Sequence, residues 1–305
     1  MKLEDEKQKK KSGIGKMIYR FILYTIVYGF GTVASFAAVV LAFGTVGYIR
    51  TKSLYDEANE KYVSIAPAEP SADNSKIVDV SFDGNANTSK SKSEESDSLS
   101  ADSVSKNEPE VKVDRRSVGE IQVDIKGLKE VNPEVIGWIY FEDGLISYPI
   151  LFSGDNETYL KTNYKGKYMA SGSIFLDKLG TPDFSDHYTV IHGHNMRDLT
   201  MFGRLRYYRK NGDYVKDHGY FHVITEDNDY RYKIFSSTRV DSMGLVYSVI
   251  PDGNDGLASF TKAYLLPGSS VKTDVTVQDS DHVIALSTCI NDYKFRFIVC
   301  GVRVN

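Results

Sequence analysis

The residue types best suited to chemistry lie near the C-terminus of this 305-residue chain. Cys289 follows the apolar run Val283-Ile284-Ala285-Leu286 and the pair Ser287-Thr288. The polar stretch Ile290-Asn291-Asp292-Tyr293-Lys294 then turns the chain into a second strand, Phe295–Val304. A thiol at the lip of a strand is poorly placed for packing, although buried free cysteines are common and position alone does not decide. In an antiparallel hairpin with residues 290–295 as its turn, Cys289 and Arg296 come close to opposite one another. A guanidinium there favours the thiolate and can stabilise an oxyanion; taken alone, Arg296 reads more plainly as a solvated edge charge.

Val190-Ile191-His192-Gly193-His194-Asn195 reads as a strand running out into a loop. A histidine at such a strand end can face Cys289 across a barrel and shuttle protons. His192 and His194 stand at i and i+2 on one strand face, which is also a metal-ligand spacing. A third ligand would have to come from His187, Asp186 or Asp198, and no Cys/His cluster with metal spacing accompanies them. The other thiol, Cys300, faces about Ala285 in the same hairpin register. That is roughly 13 Å along the strand from Cys289, beyond the reach of a disulfide, so Cys300 reads as an apolar filler.

Positioning these groups requires a core, and the aromatic content places that core in the last ~190 residues. Ile121, Ile125, Leu128 and Val131 are spaced for a short amphipathic helix, with Pro133 just beyond. After Gly137 the texture is that of short β-forming runs separated by turn signals, such as Trp138–Phe141 and Ile146–Leu151 around Glu142-Asp143-Gly144. Further strands are expected at Gly172–Leu176, Tyr188–His192, Tyr220–Ile224, Tyr230–Ser236, Lys272–Val277, His282–Ser287 and Phe295–Val304. Gly256–Leu265 is less strand-like and suits an inserted helix. Many short strands of this kind imply a closed or nearly closed β-barrel.

The N-terminal third is different. A basic segment, residues 1–20, precedes 29 residues without a charged side chain, Phe21–Ile49. That run is long enough to span a bilayer with some tilt and too long for a cleaved signal core, so residues 21–49 are expected to be a retained transmembrane anchor. The positive-inside rule keeps the N-terminus cytoplasmic and places the rest outside the cell. Residues 64–105 carry twelve serines, and Ser64–Arg116 holds Phe82 as its one aromatic. Such a composition cannot offset its ordering entropy, so residues 50–116 are expected to be an extracellular flexible linker, with the folded domain at 117–305. A net charge of −4 argues against a nucleic-acid partner.

Ala285-Leu286-Ser287-Thr288-Cys289 resembles the Thr-Leu-x-Thr-Cys signature of sortases, departing at Ala285. Gly193-His194-Asn195-Met196 is similar to that family's histidine loop, and Arg296 to its strand-borne arginine. Asn132–Ile139, Tyr148-Pro149-Ile150, Asp155-Asn156 with Tyr159-Leu160, Phe175-Leu176-Asp177 and the inserted helix resemble the class B branch. The resemblance covers about residues 117–305. It implies a mostly β, closed sortase-type barrel with an N-terminal and an inserted helix, carrying a cysteine transpeptidase. It further implies that Cys289 is the nucleophile, His194 the acid/base and Arg296 the oxyanion or substrate holder. Asn156, Leu160, Ser287 and His192, which stands where class B members often carry Tyr, would then contact the peptide. The partners implied are surface proteins with a C-terminal sorting motif and an amine of the peptidoglycan precursor, or a pilin lysine in the alternative of pilus polymerisation. No cofactor and no metal is needed, since the acyl-enzyme stores the bond energy. A papain-like cysteine hydrolase and a non-catalytic stalked binding module are the competing readings.

Overall fold

The computed structural model describes residues 2–66, 119–249, 251, 256–289 and 294–305, with the backbone alone for residues 2–20, 22, 43 and 289. Among the described residues, 2–64 and 122–305 belong to one compact unit. The strands are β1 (Val63–Ile65), β2 (Ile121–Val123), β3 (Val135–Phe141), β4 (Ser147–Leu151), β5 (Ile174–Leu176), β6 (Tyr188–His192), β7 (Tyr220–Ile224), β8 (Asp229–Asp241), β9 (Val283–Cys289) and β10 (Phe295–Arg303). The helices are α1 (Lys2–Tyr62), α2 (Ile125–Val131), α3 (Arg206–Lys210) and α4 (Leu257–Phe260), the last continued by a π-helical turn, Thr261–Leu265. Strands β3 to β10 close into a barrel in the order β10-β8-β7-β3-β4-β5-β6-β9, and β1 pairs with β2 in a separate small sheet.

Closure follows from the strands' chemistry. Every described residue of β4 and β5 is buried, as are all but one of β3 and β6, so both faces of these strands are covered. One apolar cluster joins Tyr188, Phe235, Ile298 and Cys300 of the barrel to Leu257, Phe260 and Leu265 of the inserted helix, which caps them. A bulge between Cys300 and Gly301 re-aims β10 against β8. Gly301 is required there, because a Cβ would lie 2.5 Å from the Phe221 ring.

Two expectations are corrected. Lys272–Val277 is irregular rather than a strand. Val277 is buried but Thr273, on the same alternation, is exposed; β9 already pairs with β6 and β10, and a closed barrel offers no free edge for a ninth strand. The helix expected across Ile121–Val131 begins only at Ile125. Ile121–Val123 is β2, and the Asp124 side chain accepts from Gly127 N at 2.8 Å, fixing the helix start.

The N-terminal helix also differs from the expected division at Arg50. Leu23–Tyr62 is the one helix among the described residues long and apolar enough to cross a membrane. It does not end with the uncharged run: Thr51, Tyr55, Ala58 and Tyr62 are buried, on the i, i+4, i+7, i+11 stripe of a single helix face. That face meets the barrel. The Tyr55 ring lies edge-on to Tyr148 of β4 at 5.0 Å, and Asn59 Nδ2 donates to the Ser147 carbonyl at 3.2 Å while Ser147 Oγ donates back to Asn59 Oδ1. Residues 50–62, assigned to the flexible linker from sequence, are therefore helical and packed. Residues 67–116 of that expected linker lie outside the described residues.

Candidate active site

Strands β9 and β10 pair in the register anticipated from the turn length: Cys289 opposite Arg296, Thr288 opposite Phe297, Ser287 opposite Ile298, Ala285 opposite Cys300. Cys289 is the last residue of β9, and the turn residues 290–293 lie outside the described residues. The other thiol is of a different kind. Cys300 is free and fully buried, and burial pushes its pKa far above the ordinary thiol value, so it is a neutral S–H filling the core.

Beside the end of β9 lies a groove of about 420 Å³, lined among others by Asn156, Leu160, His192, His194, Ser287 and Arg296. The fold thus gathers these six sequence-predicted residues from four separate stretches of chain around one depression. Arg296 is half-buried and donates from an Nη to the Phe295 carbonyl at 3.3 Å.

The histidine loop extends the β6–β9 ladder. His192 pairs with Ser287, and Gly193 N donates to the Ser287 carbonyl at 3.1 Å. Gly193 has no room for a side chain, since a Cβ would lie 2.5 Å from Ile174 Cδ1 and 2.6 Å from the Phe202 ring. Beyond it, Phe202 N donates to the His194 carbonyl at 3.0 Å and Asn195 bridges to Met201. Arg206 clamps the loop from inside, donating to Asn195 Oδ1 at 2.7 Å, to the Gly203 carbonyl at 2.7 Å and to the Met196 carbonyl. Leu199 and Met201 sit at φ of 70° and 52°. Such conformations are unfavourable for side-chain-bearing residues and persist where the surroundings impose them.

His194 Nε2 lies 2.7 Å from the Leu160 carbonyl oxygen. A carbonyl only accepts, so Nε2 carries a proton and, in the neutral ring, Nδ1 keeps the lone pair. His192 is held differently: its Nε2 lies 2.7 Å from Asp177 Oδ2, which also accepts from Asn156 Nδ2 at 2.8 Å. Burial opposes ionisation of Asp177, but the bonds from His192, Leu179 and Asn156 outweigh it and hold the carboxyl below the ordinary range. Tyr247 stacks on His192 with centroids 6.0 Å apart, and its hydroxyl lies 2.8 Å from Ser287 Oγ. The two imidazoles that shared a metal-like spacing in sequence thus engage different partners.

Asp177 and Tyr247 are groove residues that the sequence did not single out. Asp177 carried a signal, ending the Phe175-Leu176-Asp177 stretch, but its pairing with His192 joins positions 15 residues apart. Tyr247 lies in a short 3-10 turn, Leu245–Tyr247, whose sequence announces nothing of its orientation.

Comparison with known proteins fits this geometry. The family described as Sortase domain matches residues 146–304. Sortase B of Listeria monocytogenes is 35% identical over 191 residues, spanning 61% of this chain and 76% of that protein. Among solved structures, Bacillus anthracis sortase B in complex with AAEK1 is similar with a TM-score of 0.54 and 30% identity, covering 60% of this chain and 85% of that one. Clostridium perfringens sortase B is similar with a TM-score of 0.54 and 27% identity, covering 59% and 99%. A closed eight-strand barrel, the matched family and relatives of one class together decide against the papain-like and binding-module readings, and the chain belongs to the sortase family as a class B-like cysteine transpeptidase.

Proposed function

We propose that this transpeptidase is held in a membrane by residues 21–49, with the barrel on the outer face, and joins surface proteins to the cell wall through Cys289, His194 and Arg296. The pairing of Cys289 with Arg296 beside the groove lined by His194 is the observation that carries this reading. The Cys289 thiolate attacks the carbonyl of a C-terminal sorting motif, forming a C–S bond. The C–N bond then breaks as the His194 imidazolium gives its proton to the leaving amine. An amine of the wall precursor next attacks the thioester, loses its proton to His194 and expels the thiolate, so that no net charge or proton is gained. Arg296 balances the negative charge that develops on the carbonyl oxygen and favours the thiolate between turnovers. Asn156, Leu160, His192 and Ser287 hold the peptide in the groove.

The test uses the full chain in detergent micelles with a library of sorting-motif peptides. Mass spectrometry is expected to find an acyl group on Cys289 and, once a glycine-based amine is added, that amine in the released product. Acylation with no amine ever appearing in product overturns the transfer step. Transfer to a peptidyl lysine in preference to short amines turns the acceptor into a pilin-type one.

A further inference from the structure

The buried face of α1 does more than attach the barrel. Tyr55 Oη donates to the Gly172 carbonyl at 3.0 Å and lies 3.4 Å from Ser173 Oγ, and Thr51 Oγ1 lies 3.0 Å from Ser171 Oγ. The helix therefore grips three consecutive residues, 171–173. On their other side is the groove wall. Gly172 is held at φ of 56°, so close to the preceding segment that a Cβ would lie 2.4 Å from the Tyr159 carbonyl oxygen and 2.6 Å from that of Leu160. Ser173 N donates to the Tyr159 carbonyl at 3.0 Å. The Leu160 carbonyl, in turn, holds His194 Nε2 at 2.7 Å. Tyr55, Gly172, Leu160 and His194 thus form an unbroken line of contacts from the anchor helix to the imidazole.

We infer that Tyr55 is a positioning residue for catalysis: the membrane-proximal end of α1 sets the Leu160 carbonyl, and through it the orientation of His194. The inference rests on the acid/base assignment of His194 made above. It extends the catalytic unit to a stretch that the sequence placed in a flexible linker, and it ties the imidazole to the helix that carries the uncharged run. Backbone contacts are suited to such a link, because the close approach of Gly172 on one side and the His194 bond on the other leave the Leu160 carbonyl little room to shift. A misplacement of a reacting group by about 1 Å can lower a rate by up to about a hundredfold, so a modest shift is kinetically visible.

The experiment uses the full chain in micelles with the peptide that acylates Cys289, measured across pH 5 to 9. Tyr55→Phe removes the hydroxyl that holds Gly172 and keeps the ring against Tyr148. Its kcat is expected to fall about tenfold with KM nearly unchanged, and the limb of the pH–rate profile that reports His194 to move, while the melting temperature changes little. Gly172→Ala pushes on the Leu160 carbonyl from the other end of the line and is expected to show the same kinetic signature. Thr51→Ala, which frees Ser171 and not Gly172, is expected to have the smaller effect. A Tyr55→Phe protein that melts lower but keeps the wild-type kcat and pH profile makes Tyr55 a packing residue and overturns the inference. His194→Asn separates the two levels. If that variant keeps full turnover, the acid/base reading fails; if it is inactive while Tyr55→Phe and Gly172→Ala both behave as wild type, only the positioning inference fails.

Discussion

Cys289→Ala is expected to abolish peptide cleavage and amine transfer together, a loss of at least about three orders of magnitude, because removing the proposed nucleophile leaves only binding and oxyanion stabilisation. The comparison that gives the result its meaning is the second thiol. Cys300 lies one strand away, opposite Ala285, but it is sealed in the core with its thiolate strongly disfavoured by burial. Cys300→Ala removes one sulfur from a packed cluster, which costs about 1–2 kcal/mol of stability and leaves kcat near the wild-type value at temperatures where the protein is folded. A thiol reagent is accordingly expected to inactivate the wild type and Cys300→Ala at the same rate. Arg296→Lys keeps the positive charge beside Cys289 and loses the planar fork. Its kcat is expected to fall about 10²- to 10³-fold, as when an oxyanion donor is lost. The readout is chromatography of peptide and transfer product with the variant's melting curve alongside. Cleavage retained by a folded Cys289→Ala protein would sink the nucleophile assignment, and with it the arrangement of partners around the groove.

What could be read from the sequence divides along a physical line. The β9–β10 hairpin was legible because turn length and antiparallel pairing together fix register, so that Cys289 fell opposite Arg296 and Cys300 opposite Ala285. The barrel was legible as a texture of short strands, and its closure removed the one strand, Lys272–Val277, that the texture wrongly added. The end of α1 was misread because residues 50–62 are rich in charge. Yet Thr51, Tyr55, Ala58 and Tyr62 stand at helical spacing, a stripe too narrow to notice beside the uncharged run before it. The His192–Asp177 pair and the stacking of Tyr247 were not legible at all, since they join segments that only the barrel brings together. Local rules reach as far as neighbours in the chain and paired strands. Contacts through folded loops lie beyond them.

The largest stability effect is expected away from the groove, at Glu142. Its Oε1 accepts from Arg231 Nε at 2.6 Å and lies 3.2 Å from His222 Nε2, while His222 Nδ1 lies 2.6 Å from Asp229 Oδ1. The His222, Arg231 and Glu142 side chains are 0%, 5% and 6% exposed, so water screens little of this network. Strand pairing gathers it: His222 of β7 lies opposite Arg231 of β8 and next to the end of β3, where Glu142 follows Phe141. Glu142→Ala strips the carboxylate from the buried Arg231 guanidinium and from His222, which is expected to cost about 3–5 kcal/mol, a fall of roughly 10 °C in melting temperature. The network also sets a pH dependence. Burial alone lowers the His222 pKa, but the hydrogen bonds to Asp229 and Glu142 outweigh it and leave the group above its ordinary value. A raised folded-state value means that the native protein binds the proton more tightly than the unfolded chain. The contribution is therefore complete below about 6.5, the unfolded histidine value, and is lost as pH rises through the raised folded value. Wild-type protein is expected to melt at a lower temperature at pH 9 than at pH 6, and His222→Gln, which cannot titrate, to lose part of that difference. None of the four residues lines the groove, so turnover below the melting range should be unaffected. Identical pH slopes for wild type and His222→Gln would mean that the native barrel binds the His222 proton no more tightly than the unfolded chain does, and would overturn this linkage.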